Sequence, residues 1–208
     1  YPNVYRIGMA NLGFQTVYKI FNETPSFLCE RVFLPASGDA AEFVTGAAET
    51  VSLENRKPIS DFEILAFSVS FENDYPSILK IMELGGIPLT AKDRTSQHPL
   101  VIGGGIALTL NPEPLADFFD MLILGEAEDV LPQFTRVYAD AVSRGLDRHA
   151  LLTLLQKQIA GIYVPSLYAV HYRPDGKVQA ITPHEKGLPE RIQISPIKNI
   201  DAFCTTEV

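Results

Sequence analysis

The sequence predicts an α/β fold, a doubly wound parallel sheet of the flavodoxin-like (Rossmann-like) type with about five strands and a small C-terminal β-hairpin. Short apolar runs recur along the chain, and segments with helical spacing separate them. Most of the runs end at a glycine or a proline, which are the residues that commonly interrupt strands. Buried parallel strands joined by right-handed helical crossovers have this pattern.

Each predicted central strand is a short apolar run that is followed by a break. The five are residues 4–9, 31–34, 64–71, 100–105 and 121–124. Pro35 ends the second of them, and three glycines end the fourth. Two further short strands are predicted at residues 51–53 and 87–89. Runs of this length are typical of strands that are buried on both faces.

Helices are predicted between the strands from apolar residues that recur at i, i+3, i+4 and i+7. The first helix has one such face, made by Phe14, Val17, Tyr18 and Phe21. Pro76 suits the first turn of a second helix, which ends before Gly85. Asn111 and Pro112 open a brief helical pattern, and two longer helices are predicted at residues 129–144 and 146–160.

The pattern changes after residue 160, and this change divides the chain. Residues 1–160 are predicted to form the α/β domain. Residues 161–186 are predicted as a β-hairpin extension, because residues 162–164, 168–172 and 178–181 alternate like strands around a turn at Asp175 and Gly176. Residues 187–208 show little periodicity and are predicted to be a linker to a further C-terminal domain.

The composition excludes several classes of protein. The 208 residues include 17 lysines and arginines against 25 acidic residues, for a net charge of -8. Without a basic cluster, nonspecific binding of nucleic acid is not expected. No apolar run approaches the ~20 residues of a membrane span. The two cysteines, Cys29 and Cys204, are too few for a disulfide framework, so we expect reduced thiols and a cytoplasmic protein.

Polar and glycine residues gather where the predicted parallel strands end, which is where open α/β sheets bind ligands. The candidate cofactor-binding residues are Met9, Ala10, Asn11, Leu12, Gly13, Ser68, Ser70, Gly103, Gly104, Gly105, Gly125 and Glu126. The three successive glycines carry a large entropic cost, which a flat or phosphate-bearing ligand against bare backbone would explain. Two alternatives involve no ligand. The loop that ends at Gly13 would be a tight turn between a strand and a helix, and the Ser68 and Ser70 hydroxyls would form hydrogen bonds with backbone in the core.

Known nucleotide and catalytic motifs do not fit this chain. Ala10 lies between Gly8 and Gly13, so the loop is not the G-x-G-x-x-G dinucleotide fingerprint, and the P-loop ending is missing. The four histidines fall outside the predicted strand ends, and no Ser-His-Asp order or metal-ligand spacing is present. The sequence therefore predicts no catalytic residue and no protein-held metal.

Several short motifs together resemble the N-terminal cobalamin-binding-type domain of radical S-adenosylmethionine (radical SAM) proteins, and more narrowly a subfamily of Fe-S oxidoreductases. The motifs are YPNVY with IGM at residues 1–9, NLGF at 11–14, SLE at 52–54, DF at 61–62, GGG at 103–105, NPEPLADF at 111–118 and GEAE at 125–128. Cobalamin domains carry D-x-H-x-x-G after the first strand, S-x-L after the third and G-G after the fourth. Here Gly8 and Ala10 replace the aspartate and the cobalt-ligating histidine.

The resemblance implies a cobalamin bound without a histidine from this loop. It also implies a C-terminal radical SAM barrel in the same parent chain, which would hold S-adenosylmethionine and a [4Fe-4S] cluster through a C-x-x-x-C-x-x-C motif. That motif is not in these residues. The region itself is then a cofactor- or substrate-positioning domain and not a catalyst. The alternatives are a degenerate flavodoxin-like interaction module that binds no cobalamin, and a binder of a small nucleotide or a flavin.

Overall fold

A computed structural model of the chain describes residues 1–35 and 50–194. Its main sheet has four strands in the spatial order β1 (Ile64–Ser68), β2 (Leu100–Gly104), β3 (Met121–Ile123) and β4 (Ile162–Tyr163). The first three strands are parallel, and β4 pairs antiparallel with β3. The predicted α/β class with a mostly parallel sheet is confirmed, and the arrangement is consistent with a flavodoxin-like fold.

Six α-helices accompany the sheet within the described residues. They are α1 (Tyr5–Met9), α2 (Leu12–Glu23), α3 (Tyr75–Leu84), α4 (Ile106–Leu110), α5 (Ala127–Ser143) and α6 (Arg148–Gln158). The Asn11 side chain accepts a hydrogen bond from the Phe14 N–H at 2.8 Å, and Asp147 caps α6 through Ala150 in the same way. Such N-caps satisfy backbone donors that a helix leaves unpaired. Phe21 of α2 packs edge-on against Phe134 of α5.

Two of the five predicted parallel strands are wrong. Residues 5–9 form α1, and Val4 makes only an isolated bridge to Leu34. Residues 31–34 are extended but form no strand, since their backbone bonds go to scattered positions such as Asn3 and Leu53. A short apolar run does not distinguish a strand from a helix, and these runs find no continuous partner. Among the described residues, the sheet therefore has three parallel strands, with β1 at its edge.

The two short additional strands are also wrong. Val51 forms only an isolated bridge with Pro58, and residues 87–89 contain no strand. Residues 162–163, predicted within the hairpin extension, belong instead to the main sheet as β4. The Tyr163 hydroxyl donates a hydrogen bond to Glu113 at 2.9 Å, so the NPEP segment helps to hold β4 in place.

The buried Gln156 of α6 ties β4 to the domain. Its amide nitrogen donates to the Ile162 carbonyl and its amide oxygen accepts from the Val164 N–H, both at 2.7 Å. Gln156 thus satisfies two backbone groups that lie on either side of Tyr163. A two-residue strand has few ladder bonds of its own, so these side-chain bonds fix its position.

We expect Gln156→Leu to lower the free energy of unfolding by about 2 kcal/mol, because it leaves the Ile162 carbonyl and the Val164 N–H buried without partners. Chemical denaturation measures the change. The matched control is Gln158→Leu, since Gln158 is exposed on the same helix. Equal effects of the two substitutions would show that the hydrogen bonds of Gln156 do not stabilise the fold.

A buried ionic network lies at the end of the sheet where β2 begins, opposite the carboxyl ends of the parallel strands. The Asp120 carboxylate accepts from the Val101 N–H at 2.8 Å and from Arg94 Nε at 3.0 Å, and it pairs with Arg148 at 2.9 Å. The Arg94 guanidinium also donates to three backbone carbonyls, those of Pro88, Leu89 and Phe118. These bonds compensate for the burial of charge.

The predicted hairpin is confirmed, and it consists of β5 (Tyr168–Tyr172) and β6 (Val178–Pro183). Gly176 has a φ of +79°, a left-handed conformation that suits glycine in the connecting turn. Residues 187–194 form neither helix nor strand, and the rest of the predicted linker, with Cys204, lies outside the described residues. No helix of the described chain is long and apolar enough to cross a membrane.

Candidate functional site

A cavity of ≈ 990 Å³ lies along one face of the main sheet. Residues of α2, α5 and the connecting segment 26–32 line it together with the strands. Ligand pockets commonly measure about 300–1,000 Å³, so this cavity is at the large end of that range. Its lining includes the ends of β1, β2 and β3, where the parallel strands were predicted to bind a ligand.

Small side chains on alternate positions of the sheet make room for the cavity. Ala66 and Ser68 of β1 line it, as does Gly104 of β2. Ala66 is exposed although it is the middle residue of its strand, whereas Leu65 and Phe67 on either side are buried. Ser68, Gly104 and Ile123 are register partners and form one row across three strands. Larger residues at these positions would fill the space above the sheet.

Nine of the twelve candidate residues line this cavity. They are Asn11, Gly13, Ser68, Ser70, Gly103, Gly104, Gly105, Gly125 and Glu126. The other three, Met9, Ala10 and Leu12, do not. Met9 is engaged elsewhere, since its sulfur accepts from Arg31 at 3.1 Å. Ala10, in the connection between α1 and α2, and Leu12, the first residue of α2, are both exposed.

Polar side chains connect the start of α2 with the ends of the strands. Asn11 Nδ2 donates to the Ser70 hydroxyl at 2.9 Å, while its Oδ1 caps α2. The Thr109 hydroxyl accepts from the Gly125 N–H at 3.1 Å, and both residues line the cavity. The cavity therefore has a polar end of neutral amide and hydroxyl groups, and Glu126 adds a carboxylate.

The three glycines at residues 103–105 have three different explanations. A Cβ on Gly103 would lie 2.6 Å from Phe119 Cε1 and 2.9 Å from Leu108 Cδ1, so this glycine is needed for internal packing. Gly105 has a φ of +113° and lies against the backbone of Val69. Only Gly104 leaves ordinary space, because its Cβ would be 3.5 Å from Ile123. Internal packing and backbone conformation are therefore sufficient to explain Gly103 and Gly105 without a ligand, and a ligand against bare backbone stays a prediction for Gly104 alone.

The segment at residues 29–31 supplies sulfur and charge to the opposite wall. Arg31 forms a 2.7 Å ion pair with Glu54, and its guanidinium lies 4.7 Å from the centre of the Tyr18 ring. Burial, and then the charge of Glu54, raises the pKa of the Cys29 thiol to about 11. At neutral pH this thiol is protonated and is a poor nucleophile.

We expect iodoacetamide to modify Cys29 slowly in the folded chain until the pH approaches about 11. In denaturant the rate should rise near the ordinary pKa of 9.0. The unfolded chain loses this proton first, so the thiol should destabilise the fold increasingly between these two pH values. Cys204→Ser leaves a single thiol for mass spectrometry to follow. Rapid modification of the folded chain at pH 8 would contradict the burial of the thiol.

The sequence patterns missed several residues of the cavity wall, including Arg31, Thr109 and Tyr138. The alternation of large and small residues in β1 is the one signal that could have revealed Ala66, since i and i+2 share a face of a strand. None of the four histidines lines the cavity. Within the described ranges, no three His, Cys, Asp or Glu side chains are grouped as metal ligands.

Comparison with known proteins gives a family. The family described as radical SAM proteins, N-terminal, matches residues 13–165, which include the ends of β1, β2 and β3 and most of the cavity lining. The chain is also similar to the uncharacterized protein MJ0966 of Methanocaldococcus jannaschii, with 33% identity over 78 residues. That match covers 36% of this chain and 16% of the relative, so the chain spans a small part of that protein's length. No solved structure matches. On its match to residues 13–165, the chain belongs to the radical SAM proteins as their N-terminal region.

Proposed function

We propose that this region binds a corrinoid, cobalamin, in the cavity above the sheet and positions it for the radical SAM part of the parent chain. The observation that carries the proposal is the floor of small residues, with Ala66 in the middle of β1 and Ser68 and Gly104 at the carboxyl ends of β1 and β2. Such a floor suits a broad, flat group, and the cavity volume suits a large ligand. The region itself holds and orients, and the chemistry belongs to the complete protein.

The polar end of the cavity fits the edge of a corrinoid, which carries carboxamide groups. The Ser68 and Ser70 hydroxyls can donate to amide oxygens, and the Glu126 carboxylate can accept from amide nitrogens. Asn11 acts differently. Both ends of its amide are engaged, with Ser70 and with the Phe14 N–H, so it orients the Ser70 hydroxyl.

The cavity offers no imidazole to cobalt among the described residues, and Ala10 is not on its wall. The Cys29 thiol keeps its proton at neutral pH, so it is a poor cobalt ligand. We therefore expect cobalt to be bound without a ligand from this region. A bound corrinoid supplies organometallic and radical chemistry. S-adenosylmethionine and a [4Fe-4S] cluster would be held by the C-terminal radical SAM part.

Adding hydroxocobalamin to the purified protein tests the proposal, because binding shifts the visible spectrum of the corrinoid. We expect Ala66→Leu and Gly104→Leu to weaken binding by about tenfold or more, since each fills the floor of the cavity. The control is Ala180→Leu, which changes an exposed alanine of the hairpin. An unchanged spectrum with the unsubstituted protein would overturn the proposal, and a protein that purifies yellow would indicate a flavin.

A second candidate function is a module that positions the radical SAM part and binds no cofactor. Four apolar side chains, each more than half exposed, either line the cavity or come next in sequence to a residue that lines it. They are Leu12, Phe71, Ile106 and Leu110. Several exposed apolar groups beside one cavity are typical of protein contacts. In this case Leu110→Ser would destabilise the full-length protein, and hydroxocobalamin would cause no spectral shift.

A further inference from the structure

The hairpin has one apolar face. Val170 pairs with Ile181, and Tyr172 pairs with Val178, so that these four side chains share the face on which Tyr168 lies. His171 and its partner Ala180 are on the opposite face, because successive residues of a strand alternate. The register shifts between His171 and Tyr172, which brings Val178 opposite Tyr172.

The burial of this face decreases from the base of the hairpin to its tip. At the base, Tyr168 is 9% exposed, packs 5.6 Å from the Tyr163 ring and donates its hydroxyl hydrogen to the Pro189 carbonyl at 2.9 Å. Towards the tip, Ile181 is 38% exposed, Val178 50% and Tyr172 63%. The same face that packs into the domain at one end is thus open to solvent at the other.

A lone two-stranded hairpin is at best marginally stable in water, because it has no third strand or helix against which to bury an apolar face. Among the described residues, β5 and β6 pair only with each other. The apolar residues at the tip are therefore better explained by a partner that covers them than by the stability of the hairpin alone. Burying a valine, an isoleucine and a tyrosine would stabilise such a contact through the hydrophobic effect.

The order of the chain indicates which partner this is. The family match ends at residue 165, and β5 begins three residues later. The hairpin therefore follows the N-terminal region and precedes the C-terminal radical SAM part that family membership implies for the parent chain. A covalently connected partner is present at high effective concentration, so a small apolar face can hold it.

We propose that the apolar face of this hairpin, made by Val170, Tyr172, Val178 and Ile181, docks onto the radical SAM part of the same polypeptide. The hairpin would then fix how the N-terminal region is oriented relative to that part. This docking rests on family membership and on the uncovered tip. It does not depend on a corrinoid in the cavity, so either proposal can fail alone.

Photocrosslinking in the full-length protein tests this docking. The residue p-benzoylphenylalanine is placed at Tyr172, on the apolar face, or at His171, on the opposite face as the matched control. We expect the Tyr172 position to give crosslinked peptides that map beyond residue 208 of the same chain, and the His171 position to give about tenfold less of this product.

Three results would overturn the docking. They are crosslinks from Tyr172 that join two copies of the chain, crosslinks confined to residues 1–194, and equal yields from the two faces. A second measurement does not require a crosslinker. In full-length protein the amides of β5 and β6 should exchange hydrogen on the order of tenfold more slowly than in the Tyr172→Ser, Ile181→Ser double variant. The Ala180→Ser control should exchange as slowly as the unsubstituted protein. Equal exchange rates in all three proteins would contradict the docking.

Discussion

Asp120→Ala should lower the free energy of unfolding by about 3–5 kcal/mol, because it leaves a buried charge without compensation. The Arg94 side chain is 0% exposed and the Asp120 side chain 2%. Removing the carboxylate also leaves the Val101 N–H, near the start of β2, without a hydrogen-bond partner. Guanidinium denaturation followed by circular dichroism gives the change as a shift of the midpoint.

The matched control is Asp140→Ala. Asp140 pairs with Arg144 at the same 2.9 Å separation as Asp120 and Arg148, but both of its side chains are more than half exposed. Exposed pairs contribute roughly 0–1 kcal/mol. A loss for Asp120→Ala no larger than this control would mean that Arg94 reaches water in the folded protein, which contradicts its burial.

Gly105→Ala is the second substitution with a large expected effect, on the order of 3 kcal/mol. Gly105 has φ +113° and ψ 172°, a region that only glycine occupies readily. A Cβ there would also collide with the Val69 backbone, including the carbonyl that accepts from the Ala107 N–H. Thermal unfolding should show a clear decrease in Tm.

Gly104→Ala provides the control one residue away. Its Cβ would make ordinary contact with Ile123 and would project from the floor of the cavity. We expect its stability to change by less than about 1 kcal/mol, since alanine is also favoured over glycine within a strand. Equal stability of the two variants would contradict the prediction that alanine is strained at the backbone angles of Gly105.

The sequence was sufficient for the elements that have strong local signals. The helix with Phe14, Val17 and Phe21 on one face is α2, and the runs that begin at Ile64, Leu100 and Met121 are the three parallel strands. β2 and β3 are almost entirely buried, and β1 is buried on one face. Their apolar runs are therefore easy to recognise. The Asp175-Gly176 turn also has a local cause, because glycine adopts the positive φ required there.

The errors came from tertiary contacts that the apolar pattern of the sequence does not reveal. Residues 4–9 and 31–34 are apolar enough for strands, but whether they pair depends on a partner elsewhere in the chain. Gly103 was interpreted through a ligand, whereas its cause is Phe119, sixteen positions later. The position of β4 depends on two hydrogen bonds from one glutamine side chain. The Gly103–Phe119 contact spans more than ten residues. The Gln156 bonds reach only residues 162 and 164, but a buried polar side chain leaves no apolar pattern to detect.

For the candidate site, the sequence located the strand ends but not the floor between them. Glycine and serine residues at chain breaks were recognisable, and the structure brings Ser70, Gly104 and Gly125 to one cavity. Ala66 was not recognised, because an alanine within an apolar run looks like any core residue. Its exposure becomes apparent only when α2 and the segment at residues 26–32 are in place.

Along β1 and β2, residues that face the core alternate with residues that face the cavity, and substitutions on the two faces have different consequences. Leu65, Phe67 and Gly103 face Phe119 or other core residues, so substitutions among them change how well the protein folds. Ala66 and Gly104, one step along each strand, face empty space, and substitutions there change what the cavity can accommodate. Exchanging one or two even-numbered residues can therefore change the size of the cavity, while the other side of the same strands keeps the domain intact.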